Sequence, residues 1–494
     1  MRNIIVLGFT CLMAASCQTK PVDVFRAPAN TQELISGSRQ VLNDISNPQI
    51  FNPQTCATYI NKVTDYLFKL PANHFIPKNA RQADMLKSAG PELMDTIFQI
   101  RLAMHDKLQE FDKQNSLSRE CTLKMREGFQ YARFSEEYLL DWLVANKAYN
   151  YTPKPILDNS KPSTWTNPKF EDFKLKSGDV MIIRGKSYVS AMIARIGDEE
   201  GNFSHLAIIG EDKKGNKYVV EALIQYGVIV TPLEKWRTAE DARVALYRQP
   251  DAALAKAAAR KIYDHAQGAL DKGLGIRYDF SMNDADYSSF FCSEVIRFAY
   301  DKASGGRFMV PKYRSTVSKF KDQEYPKTLG VKGTSLFAPY DLEVDPRFDF
   351  VAEYRFLPLL RQVRMQDAVL QSVYEWMIKK DYNFNWTMKN ATRAHMAKFL
   401  RDFGLFKDTL PRYMPIEAVK TTVQFEAVAN TLEENLYSRE KEFYAKNGYS
   451  PSFQDMMKIN DEYRIEDCKR NKNPTLMKPT KFHSFFRSES NKCE

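Results

Sequence analysis

The chain has 494 residues, of which 44% are hydrophobic, which is enough for a large core and exceeds the usual size of one domain. Its formal net charge of +10 arises from 71 basic and 61 acidic residues that are interspersed over most of the sequence. Because such mixing is typical of a solvated surface, and because the chain has no arginine-rich arm, zinc-finger spacing or phosphate-binding loop, we expect no nucleic-acid binding.

The N-terminus has the pattern of a secretion signal. Arg2 precedes an apolar run over residues 4–15, which is too short for a permanent membrane span. Residues 14–17, Ala-Ala-Ser-Cys, resemble a bacterial lipobox, although an alanine replaces the usual leucine. This resemblance implies a signal peptide over 1–16 and lipidation of Cys17, and the glutamine that follows implies the outer membrane. Cleavage of an ordinary signal peptide nearby is the alternative. We therefore expect an exported, lipid-anchored protein on the periplasmic side.

Export bears on the seven cysteines of the chain. The signal peptide and the anchor account for two, so five remain in an oxidising compartment, where an odd number leaves one thiol unpaired. We predict the disulfides Cys56–Cys121 and Cys468–Cys493, each within one region of the chain, and an unpaired Cys292. Five buried free thiols are the alternative that the sequence leaves open.

The region before the central domain is predicted to be largely helical. Residues 17–47 are polar and read as a tether, and a helical bundle follows over 48–150. Its third helix is predicted from Arg119 to Asn146, with Ser118 as the N-cap. Residues 151–174 are rich in Pro, Asn, Ser and Lys, and are predicted to be a linker or a strap across the next domain.

A hairpin in the next domain brings a histidine and a carboxylate together. Strand patterns at 204–210 and 217–223 are separated by a turn signal. If the turn centres near Lys213, His205 and Glu221 lie directly opposite each other on one sheet face, with Cβ atoms roughly 5 Å apart. A carboxylate so placed orients the imidazole and favours its charged form. Taken singly, each residue also fits a structural role.

Cys292 is the candidate nucleophile. Helical spacing starts near it, and Ser288 or Ser289 can cap the helix, so Cys292 falls in the first turn. At this position a helix dipole favours the thiolate, and unpaired backbone amides can stabilise a tetrahedral oxyanion. The flanking residues Phe290 and Phe291 keep the alternative of a small core residue open.

These residues resemble the circularly permuted NlpC-type papain-like cysteine hydrolases of the YiiX/YaeF kind. By this resemblance Cys292 is the nucleophile, His205 the general base, Glu221 the residue that orients it, and Tyr278 a hydroxyl near the substrate. The order His, Glu, Cys reverses that of the unpermuted relatives. The likeness covers residues 175–356 and rests on five segments: Ser177-Gly178-Asp179-Val180, Phe203 to Ile209, Val220-Glu221-Ala222, Tyr278-Asp279-Phe280 and Phe291-Cys292-Ser293-Glu294-Val295.

The resemblance implies an α+β fold, in which a permuted papain-like core with an antiparallel sheet and packed helices is flanked by N- and C-terminal helical regions. It also implies hydrolysis of amide bonds in small peptides, with cell-wall stem peptides as the periplasmic target, and it requires no cofactor and no metal. Two alternatives remain open. One is a lipid-directed thioesterase or acyltransferase that uses the same triad, and the other is a catalytically silent scaffold or binding lipoprotein.

Helical periodicity returns over residues 357–465, with stripes at 365–376, 396–403 and 423–436. Residues 466–494 form a basic tail, which is predicted to be a solvated loop tied by a disulfide, although it could touch anionic lipid or wall polymers. The sequence leaves open whether the two helical regions shape the cleft of the central domain or bind a partner.

Overall fold

The computed structural model describes residues 26–75, 79–160, 162–283, 287–320, 324–384, 414–472, 481–488 and 493. The predicted signal peptide, the candidate lipidation site Cys17, the helix predicted at 396–403 and much of the tail lie outside these residues. Among the helices within them, none combines the length and the hydropathy that a membrane span requires.

Eleven strands occur in the described residues. They are β1 (Thr164–Thr166), β2 (Val180–Arg184), β3 (His205–Glu211), β4 (Lys217–Leu223), β5 (Gly227–Pro232), β6 (Arg243–Arg248), β7 (Ser315–Thr316), β8 (Ser335–Leu336), β9 (Asp349–Arg355), β10 (Tyr382–Phe384) and β11 (Phe486–Ser488). Seven of them form one sheet in the order β1-β9-β6-β2-β3-β4-β5, and every neighbouring pair is antiparallel.

Fourteen α-helices occur in the same residues. They are α1 (Thr31–Ser46), α2 (Cys56–Val63), α3 (Ala72–Phe75), α4 (Ala80–Lys113), α5 (Arg119–Ala145), α6 (Tyr188–Arg195), α7 (Leu233–Trp236), α8 (Ala252–Asp271), α9 (Cys292–Ser304), α10 (Glu324–Thr328), α11 (Leu357–Lys379), α12 (Ile416–Asn447), α13 (Phe453–Asn471) and α14 (Lys481–Phe485). Helices α8 and α9 pack against the sheet at β3 and β4. The arrangement confirms the predicted α+β fold.

Part of the predicted tether is a helix. Helix α1 lies inside the segment 17–47, begins at the cap Asn30 and packs against α4. Its apolar side chains share one face, while the polar ones lie outside, so the mean polarity of the segment concealed an amphipathic helix. The buried side chains on that face include Leu34, Ile35, Val41 and Ile45.

The segment 151–174 is a strap. Its strand β1 pairs with the edge of β9, with Thr164 opposite Tyr354. The Tyr151 hydroxyl donates a hydrogen bond to the Arg355 carbonyl at 2.8 Å. Of the two predicted descriptions, a strap across the next domain is therefore correct, and the segment extends the sheet of that domain by one strand.

The described part of the C-terminal tail is packed, so the prediction of a solvated loop is wrong there. Helix α13 continues through the predicted boundary at 466, and β11 pairs with β10. Phe482 and Phe486 are fully buried, and the ring of Phe482 contacts Trp376 at a centroid distance of 5.9 Å. Aromatic residues between the basic ones supply the apolar surface that holds this segment in place.

Two disulfides occur in the part of the chain that the structure describes, and they join the cysteines that were predicted to pair. Cys56–Cys121 links α2 to α5, and Cys468–Cys493 links α13 to the C-terminus. Within the described residues Cys292 is the free cysteine. The candidate nucleophile is therefore the thiol that the disulfides leave over.

Buried ion pairs join the N-terminal helices to the sheet. Glu353 on β9 accepts hydrogen bonds from Arg101 of α4, Arg133 of α5 and Arg355 of its own strand, and all four side chains are at most 4% exposed. Burial alone would raise the pKa of Glu353, but the three guanidinium groups hold it well below its usual value. A charge buried without such partners would be costly, so the network fixes the bundle on the sheet.

A second buried carboxylate joins the C-terminal region to the same sheet. Asp367 of α11 lies 2.8 Å from Arg184 of β2, 3.0 Å from Arg195 of α6 and 3.4 Å from Arg243 of β6. Arg243 also forms an ion pair with Glu137 of α5. Both helical regions therefore dock against the central domain through side chains that water does not reach.

Thiol titration tests the disulfide arrangement. A form of the protein that begins at residue 18, unfolded without reductant, should give one thiol per chain, because four of its five cysteines are in disulfides. The Cys292→Ser variant should give none. A count of five in the first protein would contradict the pairing.

The contribution of the Glu353 network to the free energy of unfolding can be measured by urea unfolding. Glu353→Gln should lower the free energy of unfolding by about 3–5 kcal/mol, because three guanidinium groups lose their shared counter-charge in a buried site. As a control, Lys169→Met removes a pair with Asp106 whose side chains are 61% and 46% exposed, and it should cost less than about 1 kcal/mol. An equal decrease in the free energy of unfolding in the two variants would show that the Glu353 network contributes no more to stability than an exposed ion pair.

Candidate active site

Helix α9 begins at Cys292 itself. Its N-cap is Phe291, whose backbone N–H donates to the side chain of Glu294 at 3.0 Å. The predicted cap by Ser288 or Ser289 is therefore wrong, because the helix has Phe291 as its N-cap, and Glu294 in the first turn accepts from the Phe291 N–H. The first N–H groups of a helix have no carbonyl four residues earlier in the helix, so this start places backbone amides of the first turn beside the thiol.

The segment Ser177-Gly178-Asp179 fixes where α9 lies. The Tyr300 hydroxyl on α9 donates to the Gly178 carbonyl at 2.8 Å. Gly178 has φ +86°, and a Cβ there would lie 2.3 Å from the Ala255 carbonyl oxygen of α8, so glycine is required. Asp179 pairs with Arg248 of β6 at 2.7 Å. This turn therefore ties α8, α9 and the sheet together.

His205 and Glu221 contact each other from neighbouring strands. His205 is the first residue of β3, and its Nε2 lies 2.7 Å from Oε2 of Glu221 on β4. The residue opposite Glu221 in the ladder is Ala207, so the predicted direct pairing is wrong. The two side chains are diagonal neighbours on one face, a distance that a glutamate and a histidine can bridge.

The loop of the hairpin explains the difference in register. The Asp212 N–H donates to the Asn216 carbonyl at 3.0 Å, and Gly215 between them has φ +88°. The turn therefore centres on residue 214 and not on 213. When the centre of the turn shifts by one residue, the residue opposite each position of β3 shifts by two along β4. Because side chains alternate between the two faces of a strand, His205 and Glu221 stay on the same face of the sheet.

The imidazole of His205 has a second partner, the thiol of Cys292. Because Nε2 faces Glu221, Nδ1 is the nitrogen left for the sulfur. Burial alone would lower the pKa of His205, but hydrogen bonds and charge interactions with Cys292 and Glu221 outweigh it and raise the pKa to about 10. The site therefore favours an imidazolium between the Cys292 sulfur and the Glu221 carboxylate at neutral pH.

Tyr278 lies beside the thiol on a loop that is tied to the start of α9. The Asp279 N–H donates to the Phe290 carbonyl, and the Phe290 N–H donates to the Arg277 carbonyl, each at 3.0 Å. Burial, followed by the charge of Cys292, raises the pKa of the Tyr278 phenol well above its usual value. The hydroxyl therefore keeps its proton and is available as a hydrogen-bond donor.

One cavity of about 630 Å³ is lined by all four of these residues, Cys292, His205, Glu221 and Tyr278. The sequence analysis missed another lining residue, Asp241, which lies just before β6. Burial, reinforced by the charge of Glu221, raises the pKa of Asp241 to about 7. The sequence around Asp241 does not indicate a site residue, because Asp241 follows Ala239-Glu240 in a polar segment that has the pattern of a surface turn.

The C-terminal region contributes to the same cavity. Its lining includes Met414, Thr422 and Glu426, the last two on α12, together with side chains of α6. The sequence left open whether the helical regions shape the cleft of the central domain or bind a partner. For the C-terminal region the structure shows that it shapes the cleft. Within the described part of the chain, no group of three or more His, Cys, Asp and Glu side chains is arranged to hold a metal ion.

The protonation of His205 can be followed by NMR with labelled histidine. In the wild type we expect a midpoint well above the ordinary value of about 6.5, because both partners favour the charged ring. Glu221→Gln should lower the midpoint, since one partner is lost while burial remains. His265 on α8 is an internal control, because burial lowers its pKa and it should titrate below 6.5 in both proteins. A wild-type His205 midpoint at or below 6.5 would contradict this description.

Comparison with known proteins gives a family match for the central domain. Residues 174–351 match the model of the permuted papain-like amidase enzymes, YaeF/YiiX, C92 family. The chain also aligns with the crystal structure titled metalloprotein yiiX from Escherichia coli O157:H7, at 22% identity over 36% of this chain and 97% of that one, with a TM-score of 0.29. A comparison with curated proteins finds no match. The family match therefore supports a cysteine hydrolase domain of the permuted papain-like amidase kind over residues 174–351.

Proposed function

We propose that the protein is an exported cysteine hydrolase that cleaves amide bonds of small peptides, with Cys292 as nucleophile, His205 as general base and acid, and Glu221 as the residue that orients His205. One observation carries the proposal. The imidazole is hydrogen-bonded both to a thiol at a helix N-terminus and to a carboxylate, and all three groups line one cavity. Those are the parts of an activated thiol nucleophile.

The reaction follows from these positions. The Cys292 thiol passes its proton to His205, the sulfur attacks the carbonyl carbon, and the negative charge that develops on oxygen lies near the backbone amides at the start of α9. The C–N bond breaks as His205 gives its proton to the leaving amine, which leaves a thioester on Cys292. A water molecule then attacks the thioester while His205 takes the water proton, and the acid and the thiol are released.

Glu221 and Tyr278 support these steps in different ways. The carboxylate of Glu221 holds Nε2, so Nδ1 stays directed at the sulfur and the imidazolium is stabilised after proton transfer. Tyr278 donates a hydrogen bond toward the substrate carbonyl or the leaving group. Neither role requires a cofactor.

We further propose that the substrates are cell-wall stem peptides and that the enzyme works on the periplasmic side, anchored through a lipid on Cys17 to the outer membrane. The signal pattern over residues 1–16 supports export. The two disulfides support it independently, because such bonds persist mainly in oxidising compartments.

Purified substrates test this choice. The protein would be incubated separately with muropeptides and with phospholipids, and the products identified by mass spectrometry. Amide cleavage of muropeptides is the expected result. Deacylation of phospholipids without cleavage of muropeptides would replace the proposal by the lipid-directed alternative. No product from either, with Cys292 unreactive toward a thiol-directed probe, would favour a scaffold protein.

Variants test the assigned roles once a substrate is cleaved. Cys292→Ala should lower kcat/KM by roughly 10⁴-fold or more, since the nucleophile is lost. His205→Gln and Glu221→Gln should each lower it by roughly 10²-fold or more. The matched control is Glu234→Gln, because the Glu234 side chain is 80% exposed and pairs only with Arg237 among the described residues. Equal activity of Glu221→Gln and Glu234→Gln would exclude Glu221 from the triad.

A further inference from the structure

A second cavity lies where the N-terminal helices, the central domain and the C-terminal region meet, and it shares no lining residue with the catalytic cavity. One face of α5, the loop between α6 and β3, and the end of α11 each form a wall. Glu120 at its edge is exposed, so the cavity opens to solvent. Its volume of about 400 Å³ is within the range of small-molecule sites, about 300–1,000 Å³.

The lining of this second cavity is acidic. It contains six carboxylates and two lysines, Lys69 and Lys124, and both lysines pair with one carboxylate, Glu127. A cavity with this excess of negative charge attracts cations. The other five carboxylates are distributed over all three walls, and they are Glu120 on α5, Asp198, Glu199 and Glu200 on the loop, and Glu375 on α11.

The acidic loop is held in place by its first carboxylate. Asp198 accepts hydrogen bonds from the Ser318 N–H at 2.6 Å and from the hydroxyls of Ser318 and Thr316 at 2.5 Å each. Burial would raise the pKa of Asp198, but these hydrogen bonds hold it below its usual value. Asp198 therefore stays charged at neutral pH and fixes the loop, while Glu199 and Glu200 line the cavity beside it.

Two buried amide side chains in the walls lack hydrogen bonds. Gln130 of α5 is 2% exposed, Gln371 of α11 is 7% exposed, and both line the cavity. Within the described part of the chain, Nε2 of Gln130, Oε1 of Gln371 and Oε2 of Glu199 have no hydrogen-bond partner. Leaving buried polar atoms unpaired costs free energy, and a ligand that supplies the missing bonds offsets this cost. The walls therefore offer a ligand one donor and two acceptors.

We propose that the second cavity binds a short cationic peptide, whose ammonium groups pair with the carboxylates of the three walls and whose backbone carbonyl accepts a hydrogen bond from Gln130. An ammonium group has three donors and no acceptor, which suits Oε1 of Gln371 and Oε2 of Glu199. None of these residues belongs to the triad, so the inference goes beyond the proposed function and does not rest on it.

Two other kinds of cation fit the walls less well. The carboxylates are spread over three elements, and among the described residues no group of three or more His, Cys, Asp and Glu side chains is arranged to hold a metal ion. A protonated polyamine matches the spread of charge, but it has only donors and leaves Nε2 of Gln130 without an acceptor. A peptide with two lysine side chains supplies both the separated charges and the carbonyl.

Isothermal titration calorimetry with the N-acetylated amide of Lys-Lys tests the proposal. We expect one saturable site, with an affinity that falls as NaCl is added, because salt screens the charges. The corresponding norleucine dipeptide has the same backbone without ammonium groups, and it should bind at least about tenfold more weakly. Absence of saturable binding by the lysine peptide, or equal binding by the norleucine peptide, would overturn the proposal.

Variants locate the bound peptide. Glu199→Gln should weaken binding at least about fivefold, because a charge-assisted hydrogen bond is lost. Glu92→Gln makes the same change at a side chain of α4 that is 62% exposed outside the cavity, and Glu221→Gln makes it in the catalytic cavity. Both should keep the wild-type affinity. Thermal unfolding checks that each variant is folded, and wild-type affinity in folded Glu199→Gln would overturn the proposal.

Gln130 distinguishes a peptide from other cations. Gln130→Leu should weaken binding of the lysine peptide at least about threefold, because the carbonyl loses its donor. The same variant should leave the affinity for spermidine, which has no carbonyl, unchanged. Tighter binding of spermidine or Ca²⁺ than of the lysine peptide to the wild type would overturn the proposal.

The outcomes separate this inference from the proposed function. Cys292→Ala should bind the lysine peptide with the wild-type affinity, because Cys292 lines the other cavity. Peptide binding that depends on Glu199, without any turnover of muropeptides, would support the second site and count against the hydrolase. Turnover that depends on Cys292, without binding of the lysine peptide, would do the reverse.

Discussion

The contact between His205 and Glu221 is the interaction on which the candidate site depends. Burying a carboxylate or an imidazole without a partner costs free energy, and the contact of 2.7 Å between Glu221 and His205 offsets that cost. The same contact leaves the other ring nitrogen of His205 for Cys292. The contact requires three independent features of the fold: the hairpin must keep both side chains on one face, α9 must begin at the cysteine, and the Gly178 turn must hold α9 against the sheet. A change in any of these would separate the thiol from its base.

The regions outside the family domain also serve this site. Arg101 and Arg133 of the N-terminal helices neutralise Glu353 on β9, and Asp367 of α11 neutralises Arg184 on the strand next to that of His205. Helix α12 forms one side of the catalytic cavity. The sheet therefore contains charges whose partners lie in the helical regions. These regions supply counter-charges to the sheet and a wall to the cavity.

Local patterns predicted a good part of this arrangement. Strand alternation placed His205 and Glu221 on one face even though the register was wrong by two residues, because the period of a strand is two. The odd number of cysteines left after a predicted export signal and anchor singled out Cys292. The predictions that failed concern features that depend on contacts between residues distant in sequence. The polarity of 17–47 and of the tail concealed helices and strands that are stabilised by α4 and α11, and Asp241 joins the site only because the chain folds its turn beside Glu221. The ion pairs of Glu353 with Arg101 and of Asp367 with Arg184 each link residues more than 100 positions apart and have no local signal.

In the proposed reaction Cys292, activated by His205, forms a covalent acyl-enzyme. This step is tested most directly by mixing the protein with an activated acyl ester, quenching in acid within the first turnover and locating the added mass by peptide mass spectrometry. The account predicts one acyl group, on the peptide that contains Cys292, and loss of that adduct in His205→Gln. An acyl group on another residue, or an equal yield of the Cys292 adduct without His205, would contradict it.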